Sequence, residues 1–274
     1  MNHYFDFWNT LAPFHADVED SNFDLASVRR LMPEIRSPVL VVGAGQGLIV
    51  AELRNQGYQC DGIDLSAEMV QQARLRRAIT LVQADAKAMP FPTASYETII
   101  FATGVVDFTA EEDQIQAMLT EGRRVLKESG KVFVAFYKIS AAQENFLAAV
   151  GLLSSGEVAL RESFELYLLN PVQMVGWVAK RANLGRFRAA ITLFRLSALC
   201  TMQERRTTLR MQRIFRKIRD PRTLINAAPE KHPYRNEREI ENLFKRLSIP
   251  IKQFSTYSSC YIVRIERQNH SCAA

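Results

Sequence analysis

Paired cysteines are missing from this chain. Cys60, Cys200, Cys260 and Cys272 form no CxxC pair and have no histidine at metal-ligand spacing. That argues against a structural zinc or a disulfide framework, so no metal is expected and reduced thiols in the cytosol are the expectation. No secretory leader is expected either, since MNHYFDFWNT has no basic stretch followed by an apolar core. Long hydrophobic runs are absent too. VGLLSSGEVAL and AAITLFRLSAL are broken by charge or small polar residues well short of the ~20 apolar residues of a membrane span. A cytoplasmic protein is expected, at most peripheral to a membrane. Acids are scarce in one place only. Between Lys180 and Arg222 stand thirteen Lys and Arg against Glu204 and Asp220, so this segment carries +11 of a +6 total and the rest of the chain is −5. The body is mildly acidic and one segment is strongly basic. With 47% hydrophobic and 23% charged residues, the chain has enough apolar material for a buried core, and disorder is not the expectation.

From Ser37 to Tyr137, short β-branched runs alternate with helical stretches, the pattern of βαβ units in a parallel sheet. PVLVVGAG reads as a buried strand entering a turn. GLIVAELRNQG reads as a helix that Gly57 can end in a left-handed cap. YQCDGIDLS is a second strand, after which Ser66 can cap the helix AEMVQQARLRR. ITLVQAD and YETIIFA are the third and fourth strands, with Pro90, Phe91 and Pro92 in the loop between them. EEDQIQAMLTEGRRVLK is a helix with acids first and bases last, as the macrodipole favours. Ser129 and Gly130 then turn the chain into the fifth strand, KVFVAFY. After Ser140 the pattern becomes helical, with no convincing strand until about Ile249, where IPIKQFSTYSSCYIVRIER reads as an antiparallel hairpin at the sheet edge. The fold expected is α/β, a doubly wound, mostly parallel sheet with a helical insertion before its last two strands.

Chemistry concentrates in VLVVGAGQG, residues 39 to 47. Gly43, Gly45 and Gly47 follow a buried strand and open a helix, so the backbone can turn tightly while the helix N-terminus offers NH groups to ligand oxygens. Glycines at such a turn also arise for packing alone, so the neighbouring residues decide. Asp64 ends the second strand 21 residues beyond Gly43, where an acid can hydrogen-bond a ribose diol; the alternative is a solvated strand-end acid. Asp85 places a second acid on the same carboxyl edge, where open α/β sheets bind ligands.

VLVVGAGQG, GIDLSAEMV, QADAKAMPF and FATGVVDF resemble successive motifs of the class I S-adenosylmethionine (AdoMet) dependent methyltransferases, particularly the small-molecule group that includes ubiquinone and menaquinone methyltransferases. The resemblance covers about residues 1 to 137 and, loosely, the final hairpin. It implies a Rossmann-like, seven-stranded methyltransferase fold, AdoMet as cofactor and S-adenosylhomocysteine as product. By that likeness Gly43, Ala44 and Gly45 face the methionine part, Asp64 holds the ribose, Leu65 and Met69 flank the adenine, Asp85 with Ala86 addresses its amino edge, and Thr103 and Gly104 lie beside the cofactor. The family usually has an acid two residues before the first glycine, whereas this chain has Val41. HYFDFWNTLAPFHADVED is similar to the family's leading helix, a lid in which His15 stands where tyrosine is common. Tyr4, Phe7, Trp8 and Leu11 equally describe a plain amphipathic helix packed on a core. Two alternatives stand beside this reading. One is a nicotinamide-dependent oxidoreductase, since Gly43, Gly45 and Asp64 suit a dinucleotide, although the third glycine falls at 47 instead of 48. The other is a non-catalytic AdoMet-binding module, for which Val41 is the reason.

The expected organisation is N-terminal lid helices over 1–36, an AdoMet-binding core over 37–139, a basic helical insertion over 140–230 and a closing helix and hairpin over 231–274. The acceptor is a small molecule, anionic, lipid-like or membrane-associated. A general base is needed only for an oxygen or nitrogen acceptor; the candidates are His15 and Asp107, with His232 a third that Pro233 marks as a turn residue. Asp107 can instead cap the helix that begins near Glu111. RRTTLRMQRIFRKIRD has the spacing of a basic amphipathic helix, so residues 205–222 are expected to meet an anionic membrane surface or an anionic acceptor. The competing reading is an ordinary cap helix with a solvated basic face. Nucleic acid is not expected, because the segment has few aromatics and no recognisable RNA- or DNA-binding module.

Overall fold

The computed structural model describes residues 3–19, 23–199, 209, 212–213, 215–216, 218, 220–257 and 260–266, with the side chains at 3–4, 15–19, 23–24 and 196–199 outside the description. The chain divides into two compact units. One comprises 22–138 and 235–274, the other 1–21 and 139–234.

The first unit is built on a seven-stranded sheet. Strands β1 (Val39–Val42), β2 (Cys60–Asp64), β3 (Val82–Gln83), β4 (Tyr96–Phe101), β5 (Leu126–Tyr137), β9 (Gln253–Thr256) and β10 (Cys260–Glu266) lie in the order β3-β2-β1-β4-β5-β10-β9. The first five run parallel, while β10 pairs antiparallel with both β5 and β9. This is the doubly wound sheet closed by a terminal hairpin. β1 is buried along its whole length, as a central parallel strand covered on both faces must be. Its residues alternate between the faces. Leu40 and Val42 enter a core with Ile115 and Leu119 of α5 (Glu112–Val125) and with Ile240 and Phe244 of the helix Glu237–Arg246. Val39 and Val41 enter the opposite core with Val28 of α2 (Phe23–Leu31) and Val50 of α3 (Leu48–Asn55). Each fully buried side chain of this size contributes roughly 1.5–3 kcal/mol.

Two local expectations are corrected in this unit. Ser129 and Gly130 do not form a turn before β5, because the strand already begins at Leu126. Tyr96 pairs with Leu126 but Thr98 with Lys131, so the extra residues bulge while the pairing continues. A Cβ at Gly130 would lie 2.7 Å from the Leu126 side chain, which leaves room for glycine there. The third strand is shorter than ITLVQAD, since only Val82 and Gln83 pair with β2.

The second unit contains α1 (His3–Glu19), α6 (Ala141–Ala149), α7 (Leu160–Glu165), α8 (Pro171–Arg181), α9 (Arg186–Leu199), α10 (Pro221–Ala227) and a small sheet of β6 (Leu153–Ser154), β7 (Glu157–Val158) and β8 (His232–Pro233). That sheet corrects the expectation that no strand occurs between 140 and 249. Ser155 and Gly156 both have positive φ, 53° and 75°, the backbone of a two-residue hairpin turn, and they fold LLSSGEVAL back on itself. Phe7 and Leu11 of α1 pack with Phe215, Leu224 and Ile225, and Phe7 stacks on Phe164 at 5.5 Å. A second cluster joins Val150, Leu152, Val178 and Ala189.

Candidate functional site

The register of the sheet determines which loops meet. Val42 pairs with Ile63 on one side and Phe101 on the other, and Asp64 pairs with Gln83. The turns that follow β1, β2, β3 and β4 therefore emerge together at the carboxyl edge, carrying Gly43 to Gly47, Asp64 to Ser66, Asp85 and Ala86, and Thr103 to Asp107.

The β1 turn has left-handed backbone at Gly43, Gly45 and Gly47, with φ of 70°, 53° and 80°. A Cβ on Gly43 would overlap the Val105 methyl, so close approach as well as φ demands glycine. The turn is tied to β2 in two places: the Ala44 amide donates to the Ile63 carbonyl at 2.9 Å, and the Gly45 amide to Asp64 Oδ2 at 2.8 Å. The other Asp64 oxygen, Oδ1, accepts from the Ser66 amide at 2.9 Å. Ser66 in turn caps α4 (Ala67–Arg77), its hydroxyl accepting from the Met69 amide at 3.1 Å, as anticipated from its position. Asp64 is half-buried. Burial raises its pKa above the ordinary carboxylate value, opposed by the Ser66 and Gly45 amides. Each carboxylate oxygen has two lone pairs, and one amide takes one of them. Asp64 thus keeps acceptor capacity after fixing the glycine turn.

Around it, Leu65 exposes 38% of its surface whereas Met69 is buried. Asp85 lies two residues beyond β3 and is half-exposed, with Oδ1 accepting from the Lys87 amide at 2.9 Å and Oδ2 3.6 Å from Lys87 Nζ. The Ala84 amide donates to the Asp64 carbonyl at 3.0 Å and holds the two acidic turns together.

Asp107 is buried. Its Oδ1 accepts from the Gly104 amide at 2.6 Å and its Oδ2 from the Tyr137 amide at 3.0 Å. These bonds join the turn after β4 to the end of β5, so the Asp107 side chain does not cap α5, whose N-cap residue Glu111 makes no side-chain capping bond either. Burial pushes the Asp107 carboxyl up to about 7, opposed by the Tyr137 and Gly104 amides and by the Arg235 charge. Arg235 donates to the carbonyls of Asp107 and Thr109, both at 2.7 Å, and of Val106 at 3.3 Å. Sequence reasoning missed Arg235, and EKHPYRN carries no signal for it. His15 lies in α1, with its side chain outside the described ones. His232 is a strand residue paired with Val158, not a turn residue. Both belong to the unit of 1–21 and 139–234, whereas Asp107 belongs to the other. Of the basic residues in 205–222, Arg213, Arg216 and Arg222 are described and exposed, and the expected helix otherwise falls largely on residues outside the description.

The glycine turn, the Asp64 carboxylate on the neighbouring strand end, the exposed Leu65 beside it and Asp85 stand at one edge of the sheet, a set of acceptors and apolar surface of the kind a ribose and base would need. A sequence comparison agrees: residues 39–130 match the family described as a methyltransferase domain. Over 123 residues the chain is 32% identical to the demethylmenaquinone methyltransferase of Tropheryma whipplei, covering 43% of this chain and 48% of that protein. Over 133 residues it is 29% identical to the ubiquinone biosynthesis O-methyltransferase of Xanthomonas oryzae pv. oryzae, covering 46% and 50%. The chain thus spans about half the length of the curated relatives it matches. A solved structure from Pyrococcus horikoshii OT3 superposes with a TM-score of 0.50 at 17% identity, covering 89% of this chain and 90% of that one, a likeness of fold. These matches place a methyltransferase domain of the class I AdoMet-dependent kind over residues 39–130.

Proposed function

We propose that this protein transfers a methyl group from AdoMet to a small-molecule acceptor that is anionic, lipid-like or membrane-associated. The observation that carries the cofactor half is Asp64, which fixes Gly45 through one oxygen and retains lone pairs for a ribose diol at the same edge. In this reading Gly43, Ala44 and Gly45 face the methionine part, Leu65 and Met69 flank the adenine, Asp85 with Ala86 addresses its amino edge, and Thr103 and Gly104 lie beside the cofactor. AdoMet supplies an already activated methyl group. The protein's work is therefore alignment of the acceptor and exclusion of water, for which orientation supplies on the order of 7–11 kcal/mol.

His15 and Asp107 are proposed for any proton removed from an oxygen or nitrogen acceptor. Asp107 has a suitable proton affinity, but it is buried with an amide on each oxygen, so we read it first as a residue that positions the turn after β4. The excess of Lys and Arg over 180–222 supports an anionic acceptor, whose local concentration it raises in a salt-dependent way.

Calorimetry with S-adenosylhomocysteine and with NAD tests the cofactor. Binding of the homocysteine product without NAD binding is expected, and tight NAD binding with no response to that product would overturn the reading in favour of an oxidoreductase. Cofactor binding without methyl transfer across a broad acceptor panel would leave a non-catalytic module.

A further inference from the structure

Helix α9 is apolar on two faces, and the unit buries one of them. Ala189 and Leu193 point inward, packed with Val150, Leu152 and Val178. On the opposite face Phe187, Ile191 and Phe194 fall at helical spacing i, i+4 and i+7 and expose 80%, 37% and 76% of their surfaces. A large aromatic side chain left in water forgoes the burial that ordinarily stabilises it, and a row of them marks an interaction surface. Arg186, Arg188 and Arg195 are exposed on the same helix. No acid occurs from Leu166 to Gln203, a stretch that holds Lys180, Arg181, Arg186, Arg188 and Arg195.

We propose that this face of α9 docks the protein on an anionic lipid bilayer, with Phe187, Ile191 and Phe194 entering the boundary of the acyl chains and Arg188 and Arg195 meeting the headgroup phosphates. Charge selects the occupant. A second copy of the same face would bring arginines against arginines, whereas anionic headgroups complement them. The continuous apolar stripe suits acyl chains better than the spaced, flat stacking that bases require. Membrane crossing is a separate matter: among the described residues no helix is long and apolar enough to span a bilayer. The proposal deepens, and rests on, the reading of the acceptor as membrane-associated, and it assigns the docking to α9 in place of the segment 205–222.

The test is sedimentation of the full chain with vesicles of phosphatidylcholine alone or mixed with phosphatidylglycerol. The wild type is expected to bind the mixed vesicles, less tightly as salt rises, and not the neutral ones. F187S/F194S should weaken that binding by at least about tenfold, the effect of removing two inserted rings, and R188Q/R195Q by about thirtyfold. Both variants should keep the wild-type melting temperature and S-adenosylhomocysteine affinity, since these side chains are exposed. Equal binding by F187S/F194S and wild type would overturn the assignment to α9 while leaving a membrane-associated acceptor standing. No vesicle binding by the wild type would overturn both. Phe-dependent self-association, or Phe-dependent RNA binding without vesicle binding, would replace the bilayer with another occupant and overturn the proposal.

Discussion

Asp64 and Asp107 end up on the same edge of the sheet, each with one oxygen on a nearby amide of its own turn and the other on an amide further away. The region around Asp64 is half-open, and its lone pairs exceed the amides that reach it. The region around Asp107 is closed by Tyr137, Gly104 and Arg235, and the carboxyl titrates near 7. A carboxylate that organises a loop can also serve a ligand only where the loop leaves part of it uncovered.

The largest effect should separate the two at once. Asp64→Ala removes two proposed charge-assisted bonds to the ribose, at roughly 1.5–3 kcal/mol each, so the Kd for S-adenosylhomocysteine should rise on the order of a hundredfold or more. Calorimetry showing unchanged affinity in a folded Asp64→Ala protein would remove Asp64 from the site. Gly43→Ala comes next. Its Cβ meets Val105 and its φ of 70° penalises any side chain, which together cost about 2–4 kcal/mol of stability. In thermal melts, adding Val105→Ala should recover only the steric part.

Asp107→Asn leaves one amide without its acceptor and should cost about 1–3 kcal/mol. Its pH dependence carries the sign. Below about 4 the folded and unfolded wild type both hold the Asp107 proton; from there to about 7 only the folded state does, so stability falls as pH rises and then levels off. The deficit of the Asn variant should therefore be greatest in acid and shrink towards pH 7. A deficit that grows over that range in denaturant titrations would show that burial does not raise the Asp107 pKa. Ser66→Ala is the smallest change, removing the cap on Met69 for about 1 kcal/mol with cofactor affinity little altered. A loss of affinity equal to that of Asp64→Ala would mean that the β2 turn, not its carboxylate, makes the site.

The sequence by itself determined the parallel core, the terminal hairpin, the glycine turn and the acids at the ends of β2 and just beyond β3. These features are local: a buried β-branched run, a glycine that must adopt positive φ and a polar residue at a strand end each declare themselves within a few residues. What Asp107 binds was decided only by tertiary structure, because Tyr137 and Arg235 lie 30 and 128 residues away and their bonds depend on strand register, which no local pattern encodes. The bulge at Gly130 and the small sheet of β6, β7 and β8 were hidden for the same reason, since a two-residue strand has no periodicity to detect. The two faces of α9 show the limit most plainly. Its sequence is apolar on two sides, and only packing against Val150, Leu152 and Val178 decided which of them was buried and which was left to water.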